Sequence, residues 1–151
     1  MALPSEQKGR GAERVDAACK REARTNKTTV LVVEDEVLIR MMLADALREQ
    51  GFGVLEASNS DDALSVLQSS LPIHLLLTDI RMPSAIDGLA LAHLARAARP
   101  DLKVIVASSQ PSGGAFADIA DAFFPKPYSV RVIAGRVKEL LTDSHYVASR
   151  Q

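Results

Sequence analysis

Beginning at Thr28, short apolar runs alternate with segments whose apolar residues recur at helical spacing. This alternation predicts strand–helix repeats around a parallel sheet. The run at 29–33 is apolar or β-branched at every position, as a central parallel strand requires. Further strands are predicted at 53–57, 73–78, 103–107 and 122–125. The expected fold class is therefore α/β, with a doubly wound, five-stranded parallel sheet.

The first predicted helix covers residues 37–50. Its apolar residues recur at three- and four-residue intervals, so we expect them to face the core. These residues are Leu38, Met41, Met42, Ala46 and Leu47. Four more helices are predicted, beginning near Asn59 or Ser60, near Leu89, near Phe116 and near Val130.

The chain divides into three regions. Residues 1–27 hold seven Lys/Arg and four Asp/Glu with few large apolar residues, which predicts a mobile, charged N-terminal arm. Residues 28–143 carry the strand–helix pattern, and residues 144–151 are predicted to form a C-terminal tail. A length of 151 residues suits one such domain.

The composition is that of a folded globular protein, with 47% hydrophobic and 25% charged residues. No apolar run approaches the ~20 residues of a membrane span, and the N-terminus lacks the apolar segment of a secretory signal. Cys19 is the single cysteine, so no internal disulfide can form. The excess of acidic over basic residues beyond the arm argues against nucleic acid binding. We therefore expect a cytoplasmic protein with no membrane or nucleic acid partner.

Polar residues follow four of the predicted strands, at the edge where an open α/β sheet binds ligands. Glu34 and Asp35 follow the first strand, and Asp79 follows the third. Ser108 and Lys126 follow the fourth and fifth. Converging carboxylates repel one another unless a cation neutralises them, and oxygen ligands suit Mg²⁺. Phosphoryl transfer needs such neutralisation together with a nucleophile, a role open to Asp79.

These residues also have ordinary structural explanations. Asp79 alone could be a turn or N-cap residue, and the two acidic residues after the first strand could cap the first helix. Lys126 could be a solvated loop cation. Ser109 could present the hydroxyl group instead of its neighbour Ser108.

Four motifs at predicted strand ends occur in a recognisable order. They are Val-Val-Glu-Asp-Glu at 32–36, Leu-Thr-Asp-Ile-Arg-Met-Pro at 77–83 with Asp87-Gly88, Val-Ile-Val-Ala-Ser-Ser at 104–109, and Pro-Lys-Pro-Tyr at 125–128. Over about residues 28–143, the chain resembles the response-regulator receiver domains of bacterial two-component signalling. The resemblance implies a flavodoxin-like receiver fold with strand order 2-1-3-4-5.

The resemblance also implies a role for the acidic residues. Asp79 would accept a phosphoryl group, and Mg²⁺ would be held by Glu34, Asp35, Asp79 and the backbone carbonyl of Arg81. Arg81 and Gln110 would flank the path of a hydrolytic water and set the lifetime of the acyl phosphate.

The remaining site residues would act on the phosphoryl group or report on it. The Ser108 hydroxyl would donate to a phosphoryl oxygen, and Lys126 would pair with the same group. Phe123 matches the aromatic switch position, and the Lys126–Pro127 peptide bond would be cis.

Four features depart from the commonest family pattern. Glu34 stands where Asp is frequent, and three residues, 84–86, precede Asp87 where two are common. Ser108 replaces the frequent Thr, and Phe123 lacks the hydroxyl of the frequent Tyr. We expect metal binding to persist, with a longer loop beside the acceptor.

The predicted function is that of a single-domain response regulator. A histidine kinase or histidine phosphotransfer protein would donate the phosphoryl group. The output would be binding to an unidentified protein target or onward relay of the phosphoryl group, and a second copy of the chain, as a homodimer, is a further candidate partner. The domain would be a phospho-acceptor that catalyses its own transfer and slow dephosphorylation, rather than a turnover enzyme. A haloacid-dehalogenase-type phosphatase would need Asp in place of Arg81. The alternative is a phosphorylation-independent adaptor with the same fold.

Overall fold

The computed structural model describes residues 27–109, 116 and 118–148, with side chains through Asp143. The predictions for residues 1–26, for Cys19 and for Gln110 therefore lie outside the described residues. Five strands are present: β1 (Thr29–Val33), β2 (Gly53–Ala57), β3 (Leu75–Asp79), β4 (Lys103–Ser108) and β5 (Ala122–Pro125). The described helices are α1 (Val37–Glu49), α2 (Ser60–Gln68), α3 (Gly88–Ala98) and α4 (Val130–Ala148).

The strands form one sheet in the order β2-β1-β3-β4-β5, and all neighbours are parallel. Both the α/β class and the predicted strand order are confirmed. The strands of a parallel sheet all end at the same edge, so the residues at or just after the ends of β1, β3, β4 and β5 are brought together there.

The central strands are buried on both faces because helices cover each side of the sheet. In β1, Leu31 and Val33 face one apolar cluster, which includes Leu67 of α2 and Leu91 of α3. The alternate residues Val30 and Val32 face the other cluster, with α1 and α4. None of the described helices is long and apolar enough to cross a membrane.

Several predicted boundaries were wrong by a few residues. β3 starts two residues later than predicted and includes Asp79, which pairs with Ala107. β4 includes Ser108, which pairs with Pro125. A polar side chain at a strand end does not prevent its backbone from joining the ladder, so these strands run one residue further than their apolar runs.

Two helix predictions also need correction. The described residues of the predicted short helix, Phe116 and 118–121, form turns and a bend rather than a helix. The last helix continues to Ala148, five residues past the predicted end of the domain at residue 143.

The predicted core face of α1 was largely wrong. Leu38 is 75% exposed, and Met41 and Met42 are also exposed. The buried residues are Leu43, Ala44 and Leu47, joined by partly buried Ile39 and Ala46. Ala46 and Leu47 were therefore predicted correctly. With Ile39, Leu43 and Ala44 they form the buried stripe, which is rotated away from Leu38, Met41 and Met42.

Side chains cap the two helices that follow β2 and β3. Asn59 accepts a hydrogen bond from the Asp62 amide at 2.8 Å, which decides between Asn59 and Ser60 as the cap of α2. Asp87 caps α3 by accepting from the Ala90 amide at 2.8 Å. The loop before α3 is fixed further because the Ser84 hydroxyl oxygen accepts from the Ser60 amide at 2.9 Å.

Gly88 allows α3 to begin close to the end of β3. A Cβ atom at Gly88 would lie 1.9 Å from the backbone oxygen of Asp79. The Gly88 amide also donates to the Ile80 carbonyl at 2.8 Å, which holds the two segments together. A larger residue would therefore displace the backbone that carries Asp79.

We expect Gly88→Ala to lower the free energy of unfolding by about 2 kcal/mol, since backbone atoms must move to admit the methyl group. Gly135→Ala is the matched control, because nothing lies within 4 Å of its would-be Cβ in α4. The control should gain roughly 0.5–1 kcal/mol from the better helix propensity of Ala. Urea denaturation measures both, and equal effects of the same sign would contradict this account of Gly88.

Candidate functional site

The ammonium group of Lys126 bridges two buried carboxylates at the carboxyl edge of the sheet. Its Nζ atom donates to Asp79 Oδ2 at 2.8 Å and to Glu34 Oε2 at 3.1 Å. Lys126 lies 47 residues from Asp79 and 92 residues from Glu34 in the chain. The fold therefore brings together three residues that the sequence placed at separate strand ends.

Glu34 is 2% exposed, although its side chain is ionisable. Burial raises the pKa of the Glu34 carboxyl group. The hydrogen bond from the Glu36 amide and the positive charge of Lys126 lower this pKa, whereas the negative charge of Asp79 raises it. The net shift of the Glu34 pKa is upward. The Glu36 amide donates to Glu34 Oε1 at 3.2 Å. Burial lowers the pKa of Lys126, but the hydrogen bonds and charges of Asp79 and Glu34 outweigh burial and raise it overall.

Glu34, Asp35 and Asp79 each bring one carboxylate oxygen within 4.8 Å of the others. Asp35 is the most exposed of the three, so the cluster is open to solvent on one side. Asp79 is buried, and its Oδ1 atom accepts a long hydrogen bond from the Arg81 amide at 3.3 Å. Clustered carboxylate oxygens fit a hard divalent cation such as Mg²⁺.

Ser108 is buried at the end of β4, beside the strand that carries Asp79, whereas Ser109 is exposed. The Ser108 carbonyl accepts from the Lys126 amide at 2.8 Å, so β4 fixes the backbone of the lysine. Burial favours Ser108 over Ser109 as the predicted hydroxyl donor. Arg81 lines a surface cavity of about 510 Å³ together with Ile80 and Asp87.

Phe123 is half-buried in β5 and packs against the apolar cluster that contains Leu91. Its ring stacks on Phe116, with centroids 5.9 Å apart and planes 12° apart. Its role as a switch stays a prediction. The Lys126–Pro127 bond is cis, as the resemblance implied.

Sequence reasoning missed the position of Tyr128. Its hydroxyl group is buried with no hydrogen-bond partner among the described residues. Burial, helped by the charge of Glu34, raises its pKa to about 12. The motif Pro-Lys-Pro-Tyr drew attention only to the lysine, and nothing in the sequence indicated a buried phenol in the cavity that Lys126 lines.

Sequence reasoning also missed an exposed apolar surface on α1, formed by Val37, Leu38, Met41 and Met42 and called here the α1 patch. Beside it lies a cavity of about 430 Å³, which is lined mainly by apolar groups and extends from Met42 to Lys126 and Tyr128. Contiguous exposed apolar surface of this kind marks interaction sites. The α1 patch therefore adjoins the acidic site.

Comparison with known proteins identifies the class that this fold and site define. The model of the response regulator receiver domain family matches residues 30–138. The chain belongs to the response regulator receiver domain family. Receiver domains of this family are parts of response regulators.

Curated relatives are larger proteins. The chain is 35% identical over 123 residues to the sensor kinase CckA of Brucella abortus, covering 78% of this chain and 13% of the kinase. It is 30% identical to a probable transcriptional regulatory protein of Picosynechococcus, covering 83% of this chain and 53% of that protein. The chain thus spans about half or less of these relatives.

Solved structures agree on the fold. A CheY-like receiver domain protein from Methanospirillum hungatei is 25% identical, with TM-score 0.74, and 80% of this chain and 98% of that chain are covered. The response regulator TrrA of Thermotoga maritima, solved in complex with Mg²⁺ and BeF, is 30% identical with TM-score 0.66, covering 75% of this chain and 98% of that chain.

We expect Lys126→Met to lower the free energy of unfolding by about 3 kcal/mol at pH 7 without metal, because two buried carboxylates lose their counter-charge. Loss of the lysine removes an influence that lowers the Glu34 pKa. An acid with a raised folded-state pKa favours folding below its unfolded pKa, near 4.5, and loses that contribution as pH rises. The stability deficit of Lys126→Met, meaning its loss in free energy of unfolding relative to wild type, should therefore grow from pH 4.5 to pH 7.

Urea denaturation of wild type and variant at both pH values measures this deficit. Lys138→Met, at an exposed position on α4, is the matched control and should change stability little at either pH. A pH-independent deficit, or one no larger than that of Lys138→Met, would show that Lys126 does not neutralise the buried pair.

Proposed function

We propose that Asp79 accepts a phosphoryl group from the histidine of a kinase or histidine phosphotransfer protein. The observation that supports this proposal most is the set of neighbours of Asp79. Its carboxylate contacts Lys126 at 2.8 Å and lies in one cluster with Glu34 and Asp35. A nucleophilic carboxylate beside a fixed cation and a cation-binding cluster has the parts that phosphoryl transfer needs.

In the proposed reaction, an Asp79 carboxylate oxygen attacks the phosphorus of a phosphohistidine in line with the leaving nitrogen. The new O–P bond forms as the P–N bond breaks. The electron pair of that bond returns to the imidazole nitrogen, which takes a proton from solvent. Asp79 suits this role because its backbone is paired in the sheet and its position is therefore fixed.

Glu34, Asp35, Asp79 and the backbone carbonyl of Arg81 are the groups that we propose as the Mg²⁺ ligands. A bound Mg²⁺ ion would neutralise negative charge on the transferring phosphoryl oxygens. The protein itself supplies a second positive charge, since the Lys126 ammonium already contacts Asp79.

After transfer, Lys126 pairs with the phosphoryl group instead of the free carboxylate, and the Ser108 hydroxyl donates to a phosphoryl oxygen. In this proposal Phe123 then shifts inward and changes the surface around β5 and α4. That surface binds a target protein or a second copy of the chain, or the phosphoryl group passes onward to another histidine. The shift is a change of population between two states, which phosphorylation biases.

The α1 patch is the surface that we propose for the phosphoryl donor. It is apolar, exposed and next to Lys126, so a partner that covers it would also cover the acidic edge. A helical partner fits such a surface because its own apolar side chains can fill the adjoining cavity.

Exposure to Mg²⁺ with beryllofluoride, a phosphoryl analogue, tests the acceptor. The wild type should gain thermal stability with both additives present, and acetyl phosphate should add the mass of one phosphoryl group. Asp79→Asn should show neither response, whereas Asp45→Asn, on the exposed side of α1, should behave as wild type. No response in the wild type would leave the phosphorylation-independent adaptor as the better explanation.

The donor surface is tested by Leu38→Ser. This change should slow phosphorylation by a cognate phosphohistidine protein about tenfold through lost apolar contact, a cost of about 1.4 kcal/mol. It should leave phosphorylation by acetyl phosphate unchanged. Leu71→Ser is the control, because Leu71 is also an exposed leucine but precedes β3, at the opposite edge of the sheet. Equal slowing by both variants, or slowing with acetyl phosphate too, would refute the proposed surface.

A further inference from the structure

We propose that Arg40 is a positioning residue that holds the acidic end of β1 in the geometry required to bind metal. The proposal rests on the function proposed above. Arg40 lies on α1, and neither its spacing nor the family motifs drew attention to it. It contacts the backbone carbonyl of Glu34 rather than any of the three clustered carboxylates.

The central contact is a charge-assisted hydrogen bond. Arg40 Nη1 donates to the Glu34 carbonyl oxygen at 2.7 Å, and the arginine side chain is 17% exposed. Hydrogen bonds from a charged donor in a partly buried setting are stronger than neutral ones. The contact therefore fixes the direction in which this carbonyl points.

The Glu34 backbone is held on its other side as well. Its amide donates to the Ala57 carbonyl of β2 at 3.1 Å. Because the peptide group is planar, fixing the Glu34 carbonyl also fixes the plane from which Asp35 continues. Asp35 is the most exposed of the three clustered carboxylates, so its direction depends heavily on this peptide plane.

Arg40 is itself held in place. Its Nε atom lies 3.6 Å from Glu56 Oε1, and Arg48 donates to Glu56 Oε2 at 3.1 Å. Two arginines of α1, Arg40 and Arg48, thus contact Glu56 on β2. Of these two arginines, only Arg40 also contacts Glu34 in the part of the chain that the structure describes. This difference makes Arg48 a matched control for the purely structural link between α1 and β2.

Partners that orient metal ligands without binding metal typically change metal affinity by 10–100-fold when removed. We expect Arg40→Gln to weaken Mg²⁺ binding about tenfold, measured by calorimetric titration. Arg48→Gln also loses a contact to Glu56 and should leave Mg²⁺ affinity unchanged. Arg40→Lys keeps the charge but lacks the planar fork, so its affinity should fall between wild type and Arg40→Gln.

A second measurement needs no metal. The ¹³C chemical shift of the Glu34 carbonyl in the metal-free protein should change in Arg40→Gln and stay constant in Arg48→Gln, because only the first variant removes its donor. Urea denaturation confirms that the variants are folded. If Arg40→Gln does not fold, Arg40→Lys carries both measurements.

The outcomes separate this inference from the proposed function. A wild type that binds no Mg²⁺ would overturn the proposed metal site, and the Arg40 proposal with it. A wild type that binds Mg²⁺, with Arg40→Gln and Arg48→Gln indistinguishable in affinity and carbonyl shift, would overturn the Arg40 proposal and leave the metal site standing.

Discussion

The contact of Lys126 with Glu34 and Asp79 is the interaction on which the site depends. Three carboxylates meet at one edge of the sheet, two of them buried, and one ammonium group lies between the buried pair. Burying charges rarely adds net stability, but removing one partner from a buried pair is costly. The lysine therefore allows the acidic cluster to exist in a folded protein without metal. It does not neutralise the cluster fully, and the remaining negative charge is what would attract a divalent cation.

The sheet explains how residues so distant in sequence can meet with precision. Asp79 and Ser108 are strand residues with paired backbones, and Lys126 is fixed by the Ser108 carbonyl. Gly88 lets α3 start against the Asp79 backbone, so both ends of the loop between β3 and α3 are held close to Asp79. The groups of the candidate site are thus attached to the rigid part of the fold. Reaction at a fixed carboxylate loses less entropy than reaction at a mobile one.

The sequence predicted those parts of the arrangement in which a residue type strongly favours one kind of structure. Apolar and β-branched runs located all five strands, and the polar residues that follow them located the candidate site. The prediction was wrong where two patterns compete. Leu38, Met41 and Met42 recur at helical spacing, yet the adjacent stripe with Leu43 and Leu47 is the buried one. Both stripes are apolar, and only packing against the sheet decides between them. Arg40 and Tyr128 were missed because their importance comes from tertiary contacts that no local pattern encodes.

The competing stripes of α1 have a consequence for function. Because successive helical residues are rotated by about 100°, one helix can bury Leu43 and Leu47, expose Leu38 and direct Arg40 back toward the end of β1. On the proposed function, the helix that receives the phosphoryl donor is also the helix whose arginine holds the Glu34 carbonyl at 2.7 Å. A donor seated on α1 is then positioned relative to the same rigid element that orients the metal ligands. Alignment of donor, metal and Asp79 would need no moving loop, because all three would be held by α1 or by the sheet beneath it.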